Sequence, residues 1–167
     1  DTIIDSLQGQ LAEHDLNDSD RMVANYIIGS IDTNGYMTRS ANEIANDLAF
    51  QEGVDVSVED VRRMWKLVRT LEPAGIGAVD LRDCLLLQLR RLPDSHAPAV
   101  ALAVSVVSDY FDLFSRLRYD KLSSALNVTE DALKAARDVI RTLNPKPGSA
   151  FAAAGDDERL RRISPDF

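Results

Sequence analysis

The chain has 167 residues, of which 45% are hydrophobic and 28% charged, and its formal net charge is −8. That composition is too apolar for a disordered polymer, and the length suits one medium domain or two small helical ones. A single cysteine, Cys84, excludes a disulfide framework, and the longest weakly polar stretch, residues 97–107, is too short to cross a bilayer. A reducing, cytoplasmic setting without membrane association is therefore expected. The first residue is Asp1 rather than Met and the last four are Ser-Pro-Asp-Phe, so the chain is expected to be a piece of a longer protein.

Charge is unevenly spread. Residues 1–57 hold eleven acids and only two bases, Arg21 and Arg39, for a net −9, while residues 58–167 sum to about +1. An acidic first third repels phosphate and lowers non-specific affinity for nucleic acid.

Apolar residues recur at three- and four-residue spacing almost throughout, which predicts an all-α fold. Ile3, Ile4, Leu7 and Leu11 mark a first amphipathic helix that fades at His14–Asp15. Asp18 and Ser19 are positioned to cap a second helix carrying Met22, Val23, Tyr26 and Ile27, which stops at the Asn34-Gly35 turn. Ser40 and Glu43 form a capping box for a short helix through Leu48. Ser57 and Asp60 open a helix bearing Val61, Met64, Trp65, Val68 and Leu71. Pro73-Ala74-Gly75-Ile76-Gly77 then breaks the chain. From Asp80 to Leu92 the leucines form so wide an apolar arc that this helix is either central or covered by a partner. A long helix is expected over Pro98–Leu117, a short one over Asp120–Leu126, and a Thr129-capped one to Leu143. These readings divide the chain into two small helical subdomains, residues 1–92 and 93–150, followed by a linker over 151–167.

The chain also resembles itself. Ser57, Val61, Met64, Val68 and Leu71 correspond, 72 positions later, to Thr129, Leu133, Ala136, Ile140 and Leu143. Upstream, Ile44, Ala45 and Leu48 match Leu122, Ser123 and Leu126. Each copy reads as a short helix, a turn, a capped longer helix and a proline stop, the pattern of a helix-turn-helix. Arg62, Arg63, Lys66 and Arg69 on one second helix, with Lys134, Arg137 and Arg141 on the other, are suited to meeting phosphates. Acids sit among them, however, and the helix-turn-helix is also a common protein-docking unit.

Catalytic and ligand-binding chemistry finds no footing. Asp32, Asn34 and Glu43 mimic three positions of a calcium loop, but Met37 stands where that loop requires glycine. Gly75 and Gly77 begin a GxG without the third glycine, which Asp80 replaces, and without a preceding strand. Cys84 falls on an apolar helix face and reads as a buried structural thiol. With two histidines and one cysteine, no metal-ligand cluster is expected. The expectation is a non-enzymatic protein without cofactor, metal or small-molecule ligand.

Four strings, IIGSIDTNGYMT (Ile27–Thr38), LEPAGIGAVDLRDCLLLQL (Leu71–Leu89), IRTLNPKPG (Ile140–Gly148) and SPDF (Ser164–Phe167), together resemble the core-polymerase-binding region of the enhancer-dependent, sigma-N or sigma-fifty-four class of bacterial sigma factors. The resemblance covers essentially the whole chain. It implies a pair of helical subdomains that attach a sigma factor to core RNA polymerase, with the β subunit a principal contact. Promoter DNA and the activator ATPase would be met through other parts of the parent protein. On that basis Asp32, Asn34, Tyr36, Arg62, Arg63, Lys66 and Arg82 are the expected polymerase-binding residues. Gly35, Pro73, Gly75, Gly77, Asp80, Leu81, Pro145, Pro147 and Gly148 are expected to shape the motif. One departure stands out: the family usually reads Gly-Ala-Arg-Asp where this chain has Gly77-Ala78-Val79-Asp80, so no arginine role carries to position 79, and Arg82 is the nearest candidate to replace it. The alternative reading is a helix-turn-helix regulator that binds DNA directly.

Overall fold

A computed structural model describes residues 2–149; the expected linker 151–167, with its SPDF string, lies outside the described residues. Among the described residues the fold is all-helical, with nine helices and only isolated β-bridges. They are α1 (Ile3–Leu11), α2 (Asp18–Gly29), α3 (Ala41–Gln51), α4 (Val58–Val68), α5 (Leu81–Arg90), α6 (Pro98–Asp109), α7 (Phe111–Ser115), α8 (Tyr119–Leu126) and α9 (Glu130–Arg141).

Side-chain caps start most of them, because the first amides of a helix have no partner within it. Ser40 and Glu43 form the expected reciprocal box at α3, Ser57 accepts from the Asp60 amide at 3.0 Å, and Thr129 accepts from the Ala132 amide at 3.1 Å. Thr2 and Asp5 form a second box at α1. The cap of α2 is Asn17, not Asp18 or Ser19: its carbonyl oxygen accepts from the Asp20 amide at 2.8 Å. Starting one residue earlier puts Asp18 and Asp20 in the first turn, where negative charge suits the helix dipole.

The single helix expected over Pro98–Leu117 is two, broken at Tyr110 (φ −132°, ψ 26°). No glycine or proline marks the break. Instead the Arg82 guanidinium donates to the carbonyls of Val107 (3.2 Å) and Ser108 (2.6 and 3.1 Å), which otherwise would bond to amides of a continuing helix.

The described residues fall into two compact units, residues 2–79 with 146–149 and residues 80–145. In the first, α2 packs against α1, α3 and α4 around Leu7, Leu11, Val23, Ile27, Ile44, Leu48, Val61 and Val68. In the second, α6 packs against α5, α7 and α9, and the core contains Leu85, Leu86, Leu89, Val106, Leu122 and Ile140. The units part between Val79 and Asp80, whereas the sequence pattern puts a boundary at Leu92–Pro93. The reason is α5, whose wide leucine arc is spent inside the second core, so Pro93 interrupts a unit rather than separating two.

The internal resemblance runs deeper than the two capped helix pairs. The buried residues of α4 (Val61, Met64, Val68) and α9 (Leu133, Ala136, Ile140) coincide at a shift of 72. Past each helix the same bonds recur: Thr70 and Thr142 hydroxyls donate to the carbonyls of Leu67 and Val139, each at 2.6 Å. A left-handed residue follows both short helices, Gly53 just past the Glu52 cap of α3 and Asn127 at the cap of α8. At a shift of 78, Leu7, Gln10 and Leu11 of α1 match Leu85, Gln88 and Leu89 of α5. The side-chain amide of Gln10 donates to the Glu72 carbonyl (2.6 Å) and accepts from its N–H (2.7 Å). Gln88 pairs identically with Asn144, at 2.6 and 2.8 Å. In each unit a glutamine on the first helix thus clamps the residue that precedes the proline stop, tying the unit's beginning to its end.

Gln88 is the buried polar side chain among the described residues, at 7% exposure, so its two bonds satisfy groups withdrawn from water. Gln88→Met keeps the volume and removes both. It should lower stability by about 1–3 kcal/mol, read as a fall in the urea midpoint, and Gln10→Met, at a more open site, should cost less.

Candidate functional site

Three of the resemblance strings meet at one place in the first unit. The loop after α2 is organised by Asp32, whose carboxylate accepts from the amides of Asn34 and Tyr36, both at 2.9 Å. Gly35 sits at its tip with φ +100°. Ile31 and Met37 bridge antiparallel, and Tyr36 bridges in parallel to Ala78. Against this loop lies the Gly75–Ala78 segment: the Gly77 amide donates to the Gly35 carbonyl and the Met37 amide to the Ala78 carbonyl, each at 2.9 Å. The Gly148 amide completes the junction by donating to the Asn34 carbonyl at 2.9 Å.

No side chain fits there. A Cβ on Gly148 would fall 2.6 Å from both the Gly35 nitrogen and the Thr33 oxygen, and one on Gly35 would lie 2.9 Å from the Gly148 nitrogen. Pro147 and Gly148 are buried beside it. Gly75 and Gly77 hold φ +96° and +79°, where a side chain costs about 1–2 kcal/mol in left-handed strain.

The junction positions a surface. Trp65 of α4 donates its indole N–H to the Gly77 carbonyl at 2.8 Å, which fixes the ring beside Val79. Met37, Ser40, Arg39, Arg62, Trp65 and Val79 line a groove of about 480 Å³. A neighbouring recess of about 240 Å³ shares Arg62, Trp65 and Val79 and adds Lys66 and Arg69. Arg39 is set in place by Asp47, to which it donates at 2.7 and 3.0 Å, and by Glu43 at 3.0 Å. Tyr26 also donates to Asp47, at 2.9 Å. The Arg39 hydrogen bonds, helped by Tyr26, hold the Asp47 carboxyl below its ordinary value despite the opposing effect of burial. Glu43 is likewise lowered, first by its bonds from Ser40 and then by Arg39.

Of the expected polymerase-binding residues, the structure brings Arg62 and Lys66 together on the groove. Arg63 points instead to Asp20 of α2, in a two-pronged pair at 2.7 and 3.0 Å that raises its pKa. Asp32, Asn34 and Tyr36 build the glycine junction, and Arg82 terminates α6 in the second unit. Asp80 caps α5 through the Asp83 amide at 2.8 Å, and Leu81 opens that helix. Pro73 follows Glu72 through a cis peptide bond, and Pro145 follows the Asn144 held by Gln88. Sequence reasoning did not single out Arg39, Trp65, Arg69 and Val79 as one surface. Residues 62, 65, 66 and 69 share a helix face by their spacing alone, a signal legible in advance. Arg39 and Val79 join it only through the junction. Cys84 is buried, with its sulfur 3.3 Å from the Gln88 amide nitrogen.

The first unit thus closes on a backbone junction and presents an open groove lined by cations. The chain belongs to the family described as the sigma-54 factor core binding domain, whose sequence model matches residues 1–167. It is 42% identical over 139 residues to the RNA polymerase sigma-54 factor of Pseudomonas aeruginosa strain UCBPP-PA14, covering 83% of this chain and 27% of that protein. It is 34% identical over 156 residues to that of Bacillus subtilis strain 168 (93% of this chain, 34% of the relative). Against that of Escherichia coli K12 it is 32% identical over 150 residues (90% and 31%). The chain therefore spans about a third or less of the length of these relatives.

Gly148→Ala and Gly35→Ala should each destabilise by about 1–3 kcal/mol, because backbone atoms block the new Cβ. Gly53→Ala, left-handed at φ +65° but with open space around it, should cost only about 1 kcal/mol; urea denaturation compares the three. The Asp47 carboxylate has a lowered folded-state pKa, so its contribution is complete at neutral pH and is lost as the pH falls from the ordinary aspartate range through that lowered value. Asp47→Asn should flatten this acid limb in unfolding midpoints measured from pH 7 to pH 3.

Proposed function

We propose that this chain is the part of an enhancer-dependent sigma factor that docks on core RNA polymerase, acting in the cytoplasm by binding and not by catalysis. The observation that carries the reading is membership, along all 167 residues, of a family described as the core binding domain of sigma-54 factors. The convergence of three resemblance strings on one glycine junction supports it, since the most distinctive residues form the frame of a presenting surface. The β subunit of polymerase is the contact we assign on resemblance. Promoter DNA and the activator ATPase are assigned to other parts of the parent protein. No helix among the described residues is long and apolar enough to cross a membrane.

The chain should shift core polymerase on a native gel at micromolar concentration without nucleotide, metal or DNA, and should compete with a full-length sigma-54 factor. Absence of any shift, or tight sequence-selective binding to duplex DNA by the chain alone at physiological salt, would favour the helix-turn-helix regulator instead.

A further inference from the structure

We infer that the groove beside α4 seats a short acidic segment of core RNA polymerase carrying an apolar or aromatic anchor; this rests on the docking reading above. Arg39, Arg62, Lys66 and Arg69 line the two adjoining recesses around Trp65 and Val79, and among the described residues no carboxylate lines either. This concentration of cations lies in a unit whose first 57 residues carry a net −9. The contrast selects the size of the occupant. A nucleic-acid duplex repeats its charge about every 1.7 Å and extends beyond any single groove, so it would run onto the acidic remainder of the unit. A short peptide segment is confined to the groove, where it meets these cations beside the carboxylates that already pair Arg39 and Arg62.

The floor of the groove fixes the second property. Trp65 is half-buried with its N–H already committed to Gly77, so its ring offers an apolar face rather than a hydrogen bond. Val79 is 56% exposed beside it. An aromatic or aliphatic side chain laid between them would lose its water on docking, while carboxylates on either side meet guanidinium and ammonium groups. The cations are also held in position: Asp47 and Glu43 orient Arg39, Glu59 pairs with Arg62, and Arg69 reaches the Gly77 carbonyl at 3.5 Å. Lys66, in the last turn of α4, makes no ion pair with a described residue and supplies a charge not already shared.

The test compares the chain with its Arg62→Glu/Lys66→Glu and Val79→Glu variants for binding to core polymerase by fluorescence anisotropy. Lys134→Glu/Arg141→Glu in the second unit serves as a control matched in charge to the double variant, and circular dichroism and urea midpoints verify folding. Both groove variants should bind about tenfold more weakly or worse, the control within about twofold of the parent chain. Between about 50 and 200 mM salt the parent should lose more affinity than the double variant, whose groove no longer attracts acid. Groove variants that fold and bind within about twofold of the parent would overturn the groove while leaving the docking reading intact. Failure of the parent chain itself to bind would remove both. If the double variant kept polymerase binding but lost affinity for a DNA duplex, the groove would be a nucleic-acid site and the peptide assignment wrong.

Discussion

The amide of Gly148 reaches the carbonyl of Asn34 because neither Gly148 nor Gly35 carries a Cβ. That close approach of backbones brings together three segments more than a hundred residues apart at their extremes. With the Gly35 loop pinned, Gly77 can donate to Gly35, Ala78 can bridge to Tyr36, and the Gly77 carbonyl is left facing Trp65. The position of the Trp65 ring, and with it one wall of the basic groove, depends on that chain of contacts. Glycine here is a steric requirement set by neighbouring backbone, which side-chain rotation cannot relieve.

A second constraint acts at the scale of each unit. Gln10 and Gln88 each pair a side-chain amide with the backbone N–H and C=O of one residue, Glu72 four residues beyond α4 and Asn144 three residues beyond α9. The same helix order, the same buried positions on α4 and α9, and the same threonine bonds accompany the two clamps. One helical plan is thus used twice. Its two uses differ where six residues are absent across the end of α8 and the α8–α9 turn, and where α7 follows α6. The break after α6 is held by Arg82, so the residue that the resemblance offers as a polymerase contact also shapes its own unit.

In the second unit, a recess beside α8 and α9 mixes Lys134 and Arg137 with Asp120 and Glu130. The first unit is acidic overall yet gathers Arg39, Arg62, Lys66 and Arg69 along one groove. Local charge, rather than net charge, therefore decides what this surface can hold, because in salt an exposed charge is felt only over about a Debye length of 8–10 Å.

What the sequence determined by itself was local. Three- and four-residue spacing defined the helices, capping residues placed the starts of α3, α4 and α9, and the self-match at a shift of 72 identified α4 and α9 as counterparts. These follow from interactions within a few residues along the chain. The cap of α2 falls on Asn17 through a bond that is itself local, and three neighbouring residues of capping type, Asn17, Asp18 and Ser19, leave the pattern ambiguous by a residue or two. The break at Tyr110 and the boundary at Val79 are decided by more distant groups: Val107 and Ser108 answer to Arg82, and the α5 leucines to α6. The groove was half legible, as Arg62, Trp65, Lys66 and Arg69 share one face of a single helix. Arg39 and Val79 could enter it only after the glycine junction folded their loops alongside, and a contact between segments far apart in sequence leaves no periodic mark in either one.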